Sequence, residues 1–147
     1  MRKAITAAFA AIIVAVVAHA HGGHSGAGQP GSEAKVNRTV VVTMDDNMRF
    51  DPSDVAVKQG ETIRFKVRNQ GKLRHEMMLG TAKEIAEHAK MMRAMPDMVH
   101  HDANAITLDA GQEGELLWQF THKGTFDFAC LEPGHFEAGM RGVVEVK

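Results

Sequence analysis

The sequence is short of residues that proteins commonly use for crosslinking and for aromatic packing. It has one cysteine, no tyrosine and one tryptophan in 147 residues. A single cysteine excludes an intrachain disulfide. Basic and acidic residues nearly balance, at 17 and 18, so the strong positive charge typical of nucleic-acid-binding proteins is missing and we expect no nucleic-acid partner. Most of the sulfur-containing side chains are methionines, of which the sequence has ten.

A second long hydrophobic run is also missing. The only one, Ala4 to Ala18, follows the basic pair Arg2 and Lys3 and ends in the small-x-small triplet Ala18-His19-Ala20. This run is short for a membrane span, and the pattern predicts a secretory signal peptide over residues 1–20. An uncleaved anchor is the alternative. We expect an exported, periplasmic chain with no stable membrane insertion after cleavage.

Residues 21–36 contain the segment HGGHSGAGQPGSEA, which is rich in glycine, serine and histidine and has no apolar periodicity. This composition predicts a flexible leader. His21 and His24 could bind a metal loosely, although two histidines in such a tract are more often only solvated. We expect one folded domain, at residues 37–147.

Within this domain, apolar residues alternate with polar ones. The segment ETIRFKVRN places Ile63, Phe65 and Val67 on one face, which predicts a half-buried strand of an antiparallel sheet. The segments ELLWQF and TFDFAC alternate in the same way, and glycine, proline and asparagine mark the turns. Short strands with such turns predict an all-β fold, a Greek-key β-sandwich.

One segment, TAKEIAEHAKMMRAM, departs from the strand pattern. It is rich in helix-forming residues, Ile85, Ala89 and Met92 follow helical spacing, and Pro96 would end the run. We therefore predict a helical insert between two strands, at about residues 81–101.

The phase of TFDFAC predicts that Cys130 points inward at the end of a strand, with His135 and Met140 on the loop that follows. The spacing is Cys-x4-His-x4-Met. His75 follows another strand and could reach the same end of the sandwich. Two imidazoles, a thiolate and a distant thioether suit a mononuclear copper site for electron transfer, whereas zinc prefers four short bonds.

With these residues and this strand pattern, the chain resembles the cupredoxins, the type 1 copper proteins, from about Val40 to Lys147. The segment MRFDPSDVAVKQGETIRFKVRN is similar to the first half of that family. The resemblance implies that His75, Cys130, His135 and Met140 bind one type 1 copper. A copper-free sandwich with a chance motif, in which Cys130 is an inert buried thiol, is the alternative.

Other copper proteins fit this sequence less well. A binuclear electron-transfer centre needs two cysteines in the ligand loop. Multicopper oxidases need several His-x-His pairs, and here His100 and His101 are adjacent. A copper nitrite reductase needs a second copper and two-domain chains. We therefore expect that the protein is not an enzyme.

The insert is rich in potential copper ligands, which are His88, Met91, Met92, Met95, Met98, His100 and His101. Methionines on a helix most often fill a core. Thioethers also bind Cu(I), and imidazoles bind either copper state. The pattern is similar to that of periplasmic copper-resistance cupredoxins, so additional Cu(I) at the insert and packing alone both stay open.

Three functions fit this sequence. The first is periplasmic copper tolerance, in which the protein binds copper ions and cycles or sequesters them. The second is one-electron transfer to a periplasmic or membrane redox protein, and the third is delivery of copper as a chaperone.

Overall fold

The structure is a computed structural model that describes residues 25–95 and 101–147. The predicted signal peptide, His21, His24, Pro96, Met98 and His100 lie outside the described residues. Within the described ranges, no helix is long and apolar enough to cross a membrane.

Within the described residues, ten strands and one α-helix form the domain. The strands are β1 (Gln29–Pro30), β2 (Arg38–Asp45), β3 (Arg49–Asp51), β4 (Asp54–Val57), β5 (Thr62–Asn69), β6 (His75–Gly80), β7 (Ala105–Leu108), β8 (Glu113–Gln119), β9 (Gly124–Ala129) and β10 (Arg141–Val146). They form two five-stranded sheets, with the orders β1-β8-β5-β2-β3 and β4-β10-β9-β6-β7. The predicted all-β sandwich with a helix between strands is confirmed.

The core lies between the sheets and is supplied by the inward faces of the alternating strands. Ile63, Phe65 and Val67 of β5 are all fully buried, as their spacing predicts. Trp118 of β8 and Phe128 of β9 are fully buried as well. The pairing differs from the prediction in one respect. Strand β5 is antiparallel to β8 but parallel to β2, and β10 is parallel to β4.

The helix α1 (Ala82–Ala94) begins at Thr81, whose hydroxyl accepts a hydrogen bond from the backbone N–H of Glu84, and the Glu84 side chain accepts one from Thr81 in return. This capping box satisfies two N–H groups that the first turn would otherwise leave unpaired. The helix covers the outer face of the second sheet. There Ile85 and Met92 join Met78 in a second hydrophobic cluster.

The flexible leader predicted for residues 21–36 is not what the structure shows from Ser25 onward. Gln29 and Pro30 pair with the edge of β8, and Ala27 is fully buried. Gly28 permits this contact, because a Cβ there would lie 2.0 Å from the carbonyl oxygen of Gln119. The glycines that suggested a solvated tail instead allow close backbone approach to a sheet edge.

Candidate metal centre

Three potential metal ligands converge at one end of the sandwich. His75 begins β6, Cys130 follows β9, and His135 lies on the next loop. Their ligand atoms all lie within 4.8 Å of one another. The Cys130 sulfur is 3.3 Å from Nδ1 of His135 and 3.9 Å from Nδ1 of His75. Because metal–nitrogen and metal–sulfur bonds are about 2.0–2.3 Å long, these separations fit three ligands of one ion.

The loop from Cys130 to Met140 is closed by its own backbone. The N–H of Cys130 donates to the carbonyl oxygen of Met140 at 3.1 Å, and the N–H of Met140 donates to that of His135 at 3.0 Å. Gly134 and Gly139 have φ of 84° and 98°, a region that costs other residues free energy. The closure returns Met140 to Cys130, and the Met140 side chain is fully buried there.

The cysteine sulfur is buried, since Cys130 has no solvent-exposed surface. Burial raises the pKa of the Cys130 thiol to about 12, while the backbone N–H of Glu76, 3.3 Å from the sulfur, opposes the shift. Without a metal the sulfur therefore keeps its proton at neutral pH, and a metal must displace that proton to bind. The same N–H would hydrogen-bond to the thiolate in the metal-bound protein.

The two histidines differ in exposure. His75 is fully buried, whereas His135 is half-buried, so the His135 ring is the edge of the centre nearest to solvent. Partial burial, followed by the neighbouring His75, lowers the pKa of His135. A neutral imidazole is the form that binds metal, so the lowered pKa favours binding near neutral pH.

His75 is oriented by a carboxylate from another loop. Its Nε2 lies 3.1 Å from Oδ1 of Asp46, and because an ionised carboxylate only accepts, Nε2 is the donor. Nδ1 then faces Cys130 as an acceptor. The backbone N–H groups of Lys72 and Leu73 also donate to Asp46, and that of Lys72 is the main cause that lowers the pKa of Asp46.

An ion pair connects the two segments that carry the centre. The Arg74 guanidinium makes two hydrogen bonds to Glu132, at 2.9 and 3.1 Å. Arg74 precedes His75, and Glu132 lies between Cys130 and His135. Two-point contacts of this kind fix orientation as well as distance.

Sequence reasoning missed Asp46, Arg74 and Glu132, because each acts across a long stretch of chain. It also missed Glu76, for which a signal existed. In the sequence, Glu76 directly precedes the apolar run Met77–Leu79. The structure buries every residue of this strand, and a buried carboxylate needs a partner.

The candidate ligands of the insert are spread over different surroundings. His88 is buried, Met91 is half-buried, and Met92 is buried in the second hydrophobic cluster. Met95 and His101 are exposed. The structure therefore does not gather the described members of this set at one point.

The sequence matches a family described as "Copper binding proteins, plastocyanin/azurin family" over residues 36–147. The chain belongs to this family of copper-binding proteins. The match spans both sheets apart from β1, the helix and the whole candidate centre.

Curated relatives in the family carry the name "Copper-resistant cuproprotein CopI". That of Rubrivivax gelatinosus is 54% identical over 130 residues, which are 88% of this chain and 79% of the relative. That of Vibrio cholerae is 38% identical over 125 residues, or 84% and 74% of the two chains.

Among solved structures, auracyanin B superposes with a TM-score of 0.69 at 24% identity, covering 82% of this chain and 96% of that one. Auracyanin A of Chloroflexus aurantiacus, titled a "blue" copper protein, has a TM-score of 0.62 at 22% identity, covering 74% and 98%. These likenesses show the fold.

Proposed function

We propose that the protein binds one type 1 copper through His75, Cys130 and His135, with Met140 as the axial ligand, and that it serves copper tolerance in the periplasm. The convergence of two Nδ1 atoms on one buried thiol carries the ligand assignment. The 54% identity to a protein named for copper resistance supports the biological role.

Copper, when bound, supplies a one-electron Cu(II)/Cu(I) couple. The chain holds the ligands in place through Asp46 on His75 and through the Arg74–Glu132 pair. Burial of Cys130 limits the access of solvent to the sulfur. We propose binding and redox cycling of copper, without catalysis.

A deletion strain tests the biological role. Wild-type protein should restore growth on elevated copper, and Cys130→Ser should not. Growth on respiratory substrates at low copper should be the same for both. The reverse result, a respiratory defect with normal copper tolerance, would support the second candidate, a soluble carrier of single electrons. The partly exposed ring of His135 favours that candidate, since it brings a ligand edge to the surface.

Met140→Leu should keep Cu(II) in the centre but raise its reduction potential. An axial thioether donates weakly to copper and stabilises the Cu(II) state, and leucine removes that donation while filling a similar volume. Cyclic voltammetry and the visible spectrum check this. Complete loss of copper would mean that Met140 is a strong ligand instead of a weak axial one.

Asp46→Asn should also raise the potential, on the order of tens of millivolts, because it removes a negative charge behind His75. Asp45→Asn is the matched control. Asp45 is adjacent and changes the charge equally, but it bonds to Asn47 and not to His75. Equal potentials for the two variants would show that Asp46 acts only as part of the general surface charge.

A further inference from the structure

The turn between β2 and β3 reaches the candidate centre from the opposite sheet. Asp45 pairs with Arg49 across a three-residue turn. The last residue of this turn, Met48, has φ of 59°, the left-handed conformation that three-residue hairpin turns need at this place. The Asp45 carboxylate accepts hydrogen bonds from the backbone and the side-chain amide of Asn47. These contacts give the turn one defined shape.

The turn is also anchored to the core and to one candidate ligand. Phe50, directly after Arg49, is buried, and its ring meets that of Phe128 on the strand that leads to Cys130. Asp46, within the turn, lies 3.1 Å from Nε2 of His75. The turn is therefore a fixed support beside the centre.

The Arg49 side chain extends from this support to the loop that carries Met140. Its Nη1 donates to the carbonyl oxygen of Met48 at 2.7 Å and to that of Ala138 at 3.0 Å. Ala138 lies two residues before Met140 in the sequence. One guanidinium nitrogen thus joins the turn to the ligand loop.

The same guanidinium packs against the residue next to Met140. A Cβ on Gly139 would lie 3.0 Å from Nη1, 3.6 Å from Cζ and 3.7 Å from Nη2 of Arg49. The planar group therefore rests on the glycine backbone, where a side chain would crowd it. Arg49 contacts the loop both through a hydrogen bond and through this packing.

We infer that Arg49 is a positioning residue of the copper centre, which holds the loop so that the sulfur of Met140 stays at its axial distance. The axial ligand is one of the factors that tune a type 1 centre, so its distance matters for the metal. With Asp46 on His75, one turn supports two ligands from different segments. The inference rests on the proposed copper centre and assigns a role to a residue that binds no metal.

Visible and electron paramagnetic resonance spectra of the Cu(II) protein test this role. Arg49→Gln removes both the charge and the contacts, whereas Arg49→Lys keeps the charge and removes the planar group. Both should shift the charge-transfer bands, because both release the loop. Arg38→Gln and Arg38→Lys are the matched controls. Arg38 also bonds to a carboxylate and a backbone carbonyl, those of Glu61 and Ala56, but at the other end of β2, and its variants should keep the wild-type spectra.

The Met140→Leu background shows whether Arg49 acts through the axial sulfur. The spectral shift caused by Arg49→Lys should vanish there, because that background has no axial sulfur to displace. Such loss of additivity is the sign of two residues that act on one another. A structural effect of Arg49 elsewhere in the fold would give the same shift in both backgrounds.

Hydrogen exchange in the metal-free protein tests the contact without copper. The backbone N–H of Met140 donates to the carbonyl oxygen of His135 at 3.0 Å. In Arg49→Gln it should exchange on the order of tenfold faster, the factor that corresponds to loss of one net hydrogen bond. Arg38→Gln should leave this rate unchanged. Amide-resolved NMR measures both.

Three results would overturn the positioning role. They are a wild-type spectrum in Arg49→Lys, an undiminished spectral shift in the Met140→Leu background, and wild-type exchange at Met140 in Arg49→Gln. If the wild type shows no visible band while the exchange rates differ as expected, the proposed copper centre fails and the contact of Arg49 with the loop stands.

Discussion

Cys130→Ser is expected to abolish the intense visible absorption of the copper-loaded protein. That band comes from charge transfer between a thiolate sulfur and Cu(II), and the chain has no other cysteine to replace it. The hydroxyl of serine is a hard donor that stays protonated near neutral pH. The expected loss is complete, and a spectrum recorded after addition of one equivalent of Cu(II) measures it.

The same variant should change the protons released on copper binding. Since the pKa of the buried thiol is about 12, the wild type must lose that proton when copper binds at pH 7, and the serine variant has none to lose there. The pH change on adding copper to each protein in weak buffer measures this difference in released protons. Met140→Leu, which keeps the thiolate, is the control for both measurements. A visible band in the serine variant would show that the colour comes from other ligands.

Phe128→Ala is expected to lower the free energy of unfolding by about 3–5 kcal/mol. The side chain is fully buried on the strand that ends at Cys130, and its ring meets that of Phe50 edge to face at 5.0 Å. It also lies against Gly142, where a Cβ would come within 2.2 Å of the ring. Alanine leaves a cavity that the surrounding sheets can fill only in part.

Urea denaturation of the metal-free protein measures the effect. The expected loss is a large part of the total free energy of unfolding, which is typically about 5–15 kcal/mol. Leu73→Ala is the control, since Leu73 is 47% exposed and should change stability by less than about 0.5 kcal/mol. Copper that binds only the native state should raise the free energy of unfolding. At a free copper concentration of 100 times Kd the gain is about 2.7 kcal/mol, which restores part of the loss. Equal destabilisation by the two variants would mean that Phe128 is not part of the tightly packed core.

The alternation of apolar residues was enough to place the inward faces of several strands. Phe126, Phe128 and Cys130 are buried together, as the spacing in TFDFAC predicts. The helix of the insert was predicted from composition and confirmed at Ala82–Ala94. These features are local, because a period of two or of 3.6 is written in consecutive residues.

Pairing and long-range contacts were not predictable in the same way. The parallel neighbours β2 and β5 are joined through two intervening strands, and one of these, β4, belongs to the other sheet. Their register therefore depends on the whole sandwich. The packing of Ala27 and Gly28 on β8 was missed for the same reason, since a glycine tract has no apolar period of its own.

The sequence by itself determined that Cys130, His135 and Met140 share one loop and that Cys130 points inward, because strand phase and loop length are local properties. Only the tertiary structure decided that His75 lies within 3.9 Å of that sulfur and that Asp46 orients it. The structure alone also divided the methionines, with Met78 and Met92 in one hydrophobic cluster and Met95 exposed. One helix presents its side chains in all directions, and what each side chain contacts depends on the sheet against which the helix packs.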